Sequence, residues 1–208
     1  MGISQQPKTK ETTERIEKLK SYIIEFYKNQ FFKDSYYHNI IHIMDVYNSA
    51  KMYAEMEKID DKSKELLLAS ALLHDIGYLK QYENNEPIGA QMAGEILPKF
   101  GFNKDEIRII QKLIMATVLP QHPKDELEYI ICDADFDTFG TDRFLTRSLD
   151  LKKEMEKRTA IKYTDLEWYK NQLAFLESHR YFTASARKLR EKGQEENIKK
   201  LKELIAKA

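Results

Sequence analysis

Cysteine is almost missing from this chain of 208 residues: Cys132 is the only one, so no disulfide can form within it. That excludes a small disulfide-stapled scaffold and leads us to expect a reducing compartment, the cytoplasm. Helix breakers are scarce as well, with seven glycines and five prolines, which leaves long windows open to helix. Net charge is absent, because 34 Lys and Arg balance 34 Asp and Glu. The balance gives no general attraction to nucleic acid or to an anionic membrane, and neither is expected as a partner. A small anionic substrate held at one local charge remains compatible with it. No apolar run approaches the roughly 18 residues that span a bilayer. The N-terminus has no apolar secretory core, and Gln6 stands where a myristoylation signal needs Ser or Thr.

What is present reads as helix. Apolar residues make up 42% and charged residues 33%, the balance of a globular chain with one substantial core. Residues 1–10 are polar and read as a flexible N-terminus. Ile16, Leu19, Ile23, Phe26 and Tyr27 then fall on one helical face. Tyr36-Tyr37-His38-Asn39 opens a second helix, and Asp60 or Asp61 caps a third that runs to Gly77, a C-terminal stop. Pro87 suits the first turn of a helix that ends near Gly101. Asn103 and Glu106 have capping-box spacing, ahead of a helix that stops before Pro120. Another helix spans about 125–135, and the pattern restarts at Gly140-Thr141-Asp142. Thr164 or Asp165 caps the penultimate helix. Ile198, Leu201 and Ile205 stripe the last one, which is preceded by Gly193. No strand pattern, repeat or long linker interrupts this. The expectation is an all-α fold, one single-domain helical bundle of eight or so helices over residues 11–208. Its motif-bearing core covers about 36–142, with C-terminal helices over 143–208.

His74-Asp75 is the most informative pair. It ends the apolar run Leu66-Leu67-Leu68-Ala69-Ser70-Ala71-Leu72-Leu73, where a carboxylate beside an imidazole is costly to bury. A divalent cation between them would offset that cost. His38 and His42 are four apart and share a helical face. Asp133, Asp135 and Asp137 alternate with apolar residues, so the spacing leaves open which of them would close the site. Two imidazoles and two carboxylates suit a divalent ion with coordination positions left for water and substrate. His122, between Pro120 and Pro123, lies in a loop that either hangs over such a site or is simply exposed.

At these residues the chain resembles the HD superfamily of metal-dependent phosphohydrolases. The match is His42, then His74-Asp75, then Asp135, extended by Tyr37-His38-Asn39, Ile76-Gly77 and Asp133-Ala134-Asp135. The resemblance implies a helical core and one divalent metal ion (Mn, Mg, Co, Ni, Fe or Zn) on His42, His74, Asp75 and Asp135. It also implies hydrolysis of a small phosphate mono- or diester, nucleotides included. Asp75 is a catalytic candidate as well, orienting the attacking water. Tyr-His-Asn resembles the opening of cyclic-nucleotide phosphodiesterases, in which this histidine is the general acid; that role falls on His38 here. Lys80, His179 and Arg187 are candidates for substrate contacts. Asn85-Glu86 stands where many members carry His-Glu, and only His122 and His179 are spare, so one ion is expected rather than two. The missing imidazole motivates an alternative: a non-catalytic nucleotide-binding or interaction module of the same shape.

Overall fold

The computed structural model describes residues 8–29 and 34–208. Among them are nine α-helices and no strand. The helices are α1 (Lys8–Asn29), α2 (Ile40–Met56), α3 (Asp61–Leu73), α4 (Asn85–Ile96), α5 (Lys104–Ala116), α6 (Glu126–Asp135), α7 (Phe144–Arg158), α8 (Asp165–Ser178) and α9 (Ala184–Lys207). Short 3₁₀ turns cover Ile76–Leu79, Leu97–Phe100 and Asp137–Gly140. The flexible stretch expected over residues 1–10 lies outside the described residues up to residue 7, and residues 8–10 open α1. No helix among the described residues is long and apolar enough to cross a membrane.

The core forms around α3, whose residues from Glu65 to Leu73 are all buried. A helix that is apolar nearly all round must be enclosed on every side, and α1, α2, α5 and α6 all pack on this one. Side-chain oxygens start the helices as expected. Asp60 accepts from the N–H groups of Lys62 and Ser63, and capping boxes form at Asn103–Glu106 and Thr164–Glu167.

Two glycines behave differently from the sequence expectation. The third helix stops at Leu73, not at Gly77, which sits in the following 3₁₀ turn. A Cβ on Gly77 would lie 1.9 Å from the Asn85 carbonyl oxygen, so the residue admits the backbone of α4 rather than ending a helix. Gly193 does not precede the last helix; it lies within α9. A Cβ there would lie 2.1 Å from the Gly140 carbonyl oxygen, and the cost of a helical glycine is exchanged for close packing of α9 on the Asp137–Gly140 turn.

Four charges fasten α1 to the core. Arg15 Nε donates to Glu65 Oε1 at 2.9 Å, and Arg15 Nη1 lies 3.3 Å from Glu106 Oε2. Lys62 bridges the same two carboxylates. Burial works against ionising Glu106, yet Lys62, the Asn103 N–H and Arg15 together hold its carboxyl at about 2.

Candidate metal centre

Three chain segments bring four donors together. Asn39 caps α2 by accepting from the N–H groups of Ile41 and His42, which places His42 on the first turn facing α3. The apolar α3 carries His74 and Asp75 to its buried C-terminal end. Asp135 is the last residue of α6. His42 is 2% exposed and His74 is 0% exposed.

Their donor atoms nearly touch. The two Nε2 atoms are 3.3 Å apart. Asp75 Oδ2 lies 3.2 Å from each of them. Asp135 Oδ1 lies 3.4 Å from His42 Nε2 and 3.5 Å from His74 Nε2. Such spacings are about those between ligands that sit ~2.1 Å from one shared ion. The tautomer agrees with this, because His74 Nδ1 donates to the Ala71 carbonyl at 2.9 Å and leaves the Nε2 lone pair facing the cluster.

The protein alone does not satisfy this cluster. Asp75 Oδ2 is buried and makes no hydrogen bond, and two imidazole nitrogens face each other with carboxylates on both sides. Burial pushes the His42 and His74 pKa values down, but Asp75 and Asp135 overcome it. His42 ends above its ordinary value and His74 well above. The imidazoles in turn hold Asp75 well below the carboxylate range, and Asp135 below it, against burial. All four groups thus favour positive charge at their common centre. The donor set, its spacing and the orphaned Asp75 oxygen fit a divalent cation.

The three alternating aspartates divide cleanly. Asp133 is buried and accepts from the N–H groups of Phe182 and Thr183, both at 2.8 Å, so it anchors the start of α9. Asp137 takes the Tyr53 hydroxyl and, at 2.8 Å, Arg190 Nε, and it orients those neighbours. Only Asp135 joins the imidazoles.

Beside the cluster lies a cavity of about 290 Å³, lined in part by His38, His42, Asp75, Tyr78, Glu86 and Asp135. His38 stacks on Tyr78 with ring centroids 3.8 Å apart. Its Nδ1 is hydrogen-bonded to Glu154, a 0% exposed residue of α7. The other Glu154 oxygen accepts from the N–H groups of Tyr37 and His38 at 2.8 and 3.0 Å. Burial resists the charge on Glu154, but His38 and these two N–H groups hold its pKa below the ordinary value.

Sequence reasoning missed Glu154, one of many charges in α7 and 116 residues from His38. It also missed Gln121, whose Nε2 donates to Asp135 Oδ2 at 3.3 Å. The Pro-flanked loop does reach the site, but through Gln121 and Leu119, while His122 is exposed. The suggested substrate contacts lie elsewhere. Lys80 is exposed and does not line the cavity. His179 packs behind the cavity wall against Phe136 and Phe139; burial, then Arg180, brings its pKa down to about 4. Arg187 donates to the Tyr181 and Phe182 carbonyls at 3.0 and 2.6 Å.

Comparison with known proteins bears on the fold and on the domain that carries these residues. Residues 39–136 match the profile of the HD domain. An uncharacterized protein of Clostridium beijerinckii is 35% identical over 82 residues, 38% of this chain, and the chain spans only about half (52%) of that relative's length. A predicted HD superfamily hydrolase from an uncultured Thermotogales bacterium superposes with a TM-score of 0.61 at 20% identity, over 92% of this chain and 91% of that one. YpgQ of Bacillus subtilis, solved in complex with ADP, gives 0.65 at 17% identity, over 91% and 95%. The structural likenesses establish the fold, and the profile match establishes that the chain carries an HD domain.

Proposed function

We propose that this HD-domain protein is a divalent-metal-dependent phosphohydrolase acting on a small phosphate mono- or diester, with one ion held by His42, His74, Asp75 and Asp135. The observation that carries the reading is the convergence of these four donors around the unbonded Asp75 oxygen. A protein of the same fold solved with ADP supports a phosphate-bearing ligand. Bound there, a divalent cation supplies Lewis acidity, drawing charge from a phosphoryl oxygen and acidifying water.

The chain's own residues do the rest. Asp75 or Asp135 orients the attacking water, and Gln121 restrains Asp135 from its outer oxygen. His38 donates a proton to the leaving oxygen. With Nδ1 taken by Glu154, Nε2 is the nitrogen left for substrate in the cavity. Glu154 fixes the plane of the imidazole, while Tyr78 covers one face. Asn85, which stands where the resemblance puts an imidazole in many members, does not line the cavity. A single buried thiol fits a reducing compartment, and we place the protein in the cytoplasm.

Metal content and turnover on a panel of phosphate mono- and diesters, measured on one preparation, test the reading. The expected result is one tightly held divalent ion per chain and metal-dependent hydrolysis. Nucleotide binding with no turnover in Mn²⁺, Mg²⁺, Co²⁺ or Ni²⁺ would instead establish the non-catalytic module.

A further inference from the structure

A second space lies apart from the cavity beside the imidazole–carboxylate cluster. It is a groove of about 570 Å³ between the end of α8 and the middle of α9. His179 and Gln194 are its buried floor, and Glu177, Arg180, Glu191 and Glu195 are its exposed rim. Glu191 and Glu195 stand one helical turn apart on α9, and neither makes an ion pair or a hydrogen bond among the described residues. Like charges at this spacing repel. Glu177 has Lys202 as its partner, at 2.8 Å. Arg180, the one cation lining the groove, donates from Nη1 to the carbonyls of Glu177 and His179, both at 2.7 Å.

The floor holds acceptors without partners. His179 is 9% exposed, and neither of its ring nitrogens makes a hydrogen bond among the described residues. Its Nε2 is sealed into the packing, where the ring meets Phe136 and Phe139 edge-on at 5.3 and 5.2 Å. Aromatic faces attract an N–H and repel a lone pair, so the proton belongs on Nε2. Nδ1 is not sealed, and it presents its lone pair to the groove. Burial and Arg180 keep the ring neutral, with its pKa down at about 4. Gln194 spends its amide nitrogen on the carbonyls of Leu176 and His179, at 2.7 and 3.2 Å. Its Oε1 makes no hydrogen bond and opens on the same groove. A nearly buried polar group without a partner is unfavourable, and a ligand in the groove would satisfy both.

We propose that this groove is a second binding site, which takes a small organic cation carrying two ammonium groups. An ammonium has three donors and no acceptor, the complement of a floor and rim made of acceptors. One ammonium sits on His179 Nδ1 and Gln194 Oε1, and the other lies between the Glu191 and Glu195 carboxylates and relieves their repulsion. A metal ion is the poorer occupant. It needs three or more donors at one point, and among the described residues only His42, His74 and Asp135 are found so gathered. The groove's volume is within the range of small-molecule sites. The inference stands apart from the phosphohydrolase reading, since it uses none of the residues proposed for that reaction.

Calorimetric titration of the full chain with putrescine tests the site, with butylamine, butanol and Mg²⁺ as comparison ligands. Putrescine is expected to bind one per chain, about tenfold or more tightly than any of the three. Glu191→Gln and Glu195→Gln, both on the exposed rim, should each weaken it severalfold. Glu196→Gln, on the same helix but outside the groove, should leave it unchanged. Nitrogen NMR of the His179 ring should show Nδ1 shifting on saturation while the ring stays neutral. The proposal is overturned if butylamine or Mg²⁺ binds as well as putrescine, or if Glu196→Gln weakens binding as much as Glu191→Gln. It is also overturned if His179 Nδ1 does not move, which would leave only a general attraction to an acidic surface. None of these titrations needs metal at the imidazole–carboxylate cluster, so failure of the phosphohydrolase reading would not alter their outcome.

Discussion

Two of the charged clusters in this molecule are built on opposite terms. The Arg15–Lys62–Glu65–Glu106 cluster sets two fixed cations against two carboxylates, so the protein neutralises itself. The His42–His74–Asp75–Asp135 cluster sets two carboxylates against imidazoles that are cations only when protonated, and it strands a carboxylate oxygen. The first is complete and fastens helices. The second leaves a carboxylate oxygen unbonded and has room in its charge balance for a cation from outside. A buried charge group that closes on itself argues for architecture, and one that does not close argues for a ligand.

The contrast can be broken most sharply at His74. His74→Ala should drop metal content to background and turnover with it, while circular dichroism stays helical. Full activity in a metal-free His74→Ala preparation would sink the comparison. His38→Ala should keep the ion and slow hydrolysis on the order of a hundredfold or more. Glu154→Gln should slow it about tenfold to a hundredfold on alkyl esters. Both variants should spare 4-nitrophenyl esters, whose leaving group needs no proton, so a leaving-group series distinguishes proton donation from misfolding.

Arg15→Met reverses the pattern. Removing one partner of a largely buried pair leaves Glu65 without its main cation, and urea unfolding should report a loss of about 2–4 kcal/mol. Metal content and kcat should not change.

The smallest effect is in pH. In the metal-free protein His42 and His74 titrate above their unfolded value. Their contribution to stability is therefore full below that value and is lost as pH rises through the folded pKa values. Asp75 and Asp135 are depressed, so their contribution is present above the unfolded carboxylate value and is lost as pH falls through the folded ones. Metal competes with the imidazole protons. The rise in Tm on adding Mn²⁺ should therefore grow from pH 5.5 to pH 8. Glu106, held at about 2, stays ionised across that range, so the other cluster should contribute nothing to the slope.

The all-helical character and the four converging donors were legible in the sequence because each rests on a local pattern. Helical spacing marked α1, and Asn103 with Glu106 marked a cap. The order His42, His74-Asp75, Asp135 could be matched to a family. Glu154 and Gln121 were not legible, since each acts through a partner distant in the chain, and neighbours in sequence say nothing of that. The two glycines were misread for a related reason. Their significance is a backbone crossing, at Asn85 for Gly77 and at Gly140 for Gly193, and a glycine chosen for a crossing looks like one chosen for a stop.

The reach of Glu154 back to His38 also sets an order of assembly. A chain emerging from the ribosome has exposed all four proposed ligand side chains once Asp135 is out, but the carboxylate bonded to His38 follows only with α7. On the proposed function, a nascent chain presents the residues proposed to hold the ion before the carboxylate that positions His38, and the site is complete only when α7 docks.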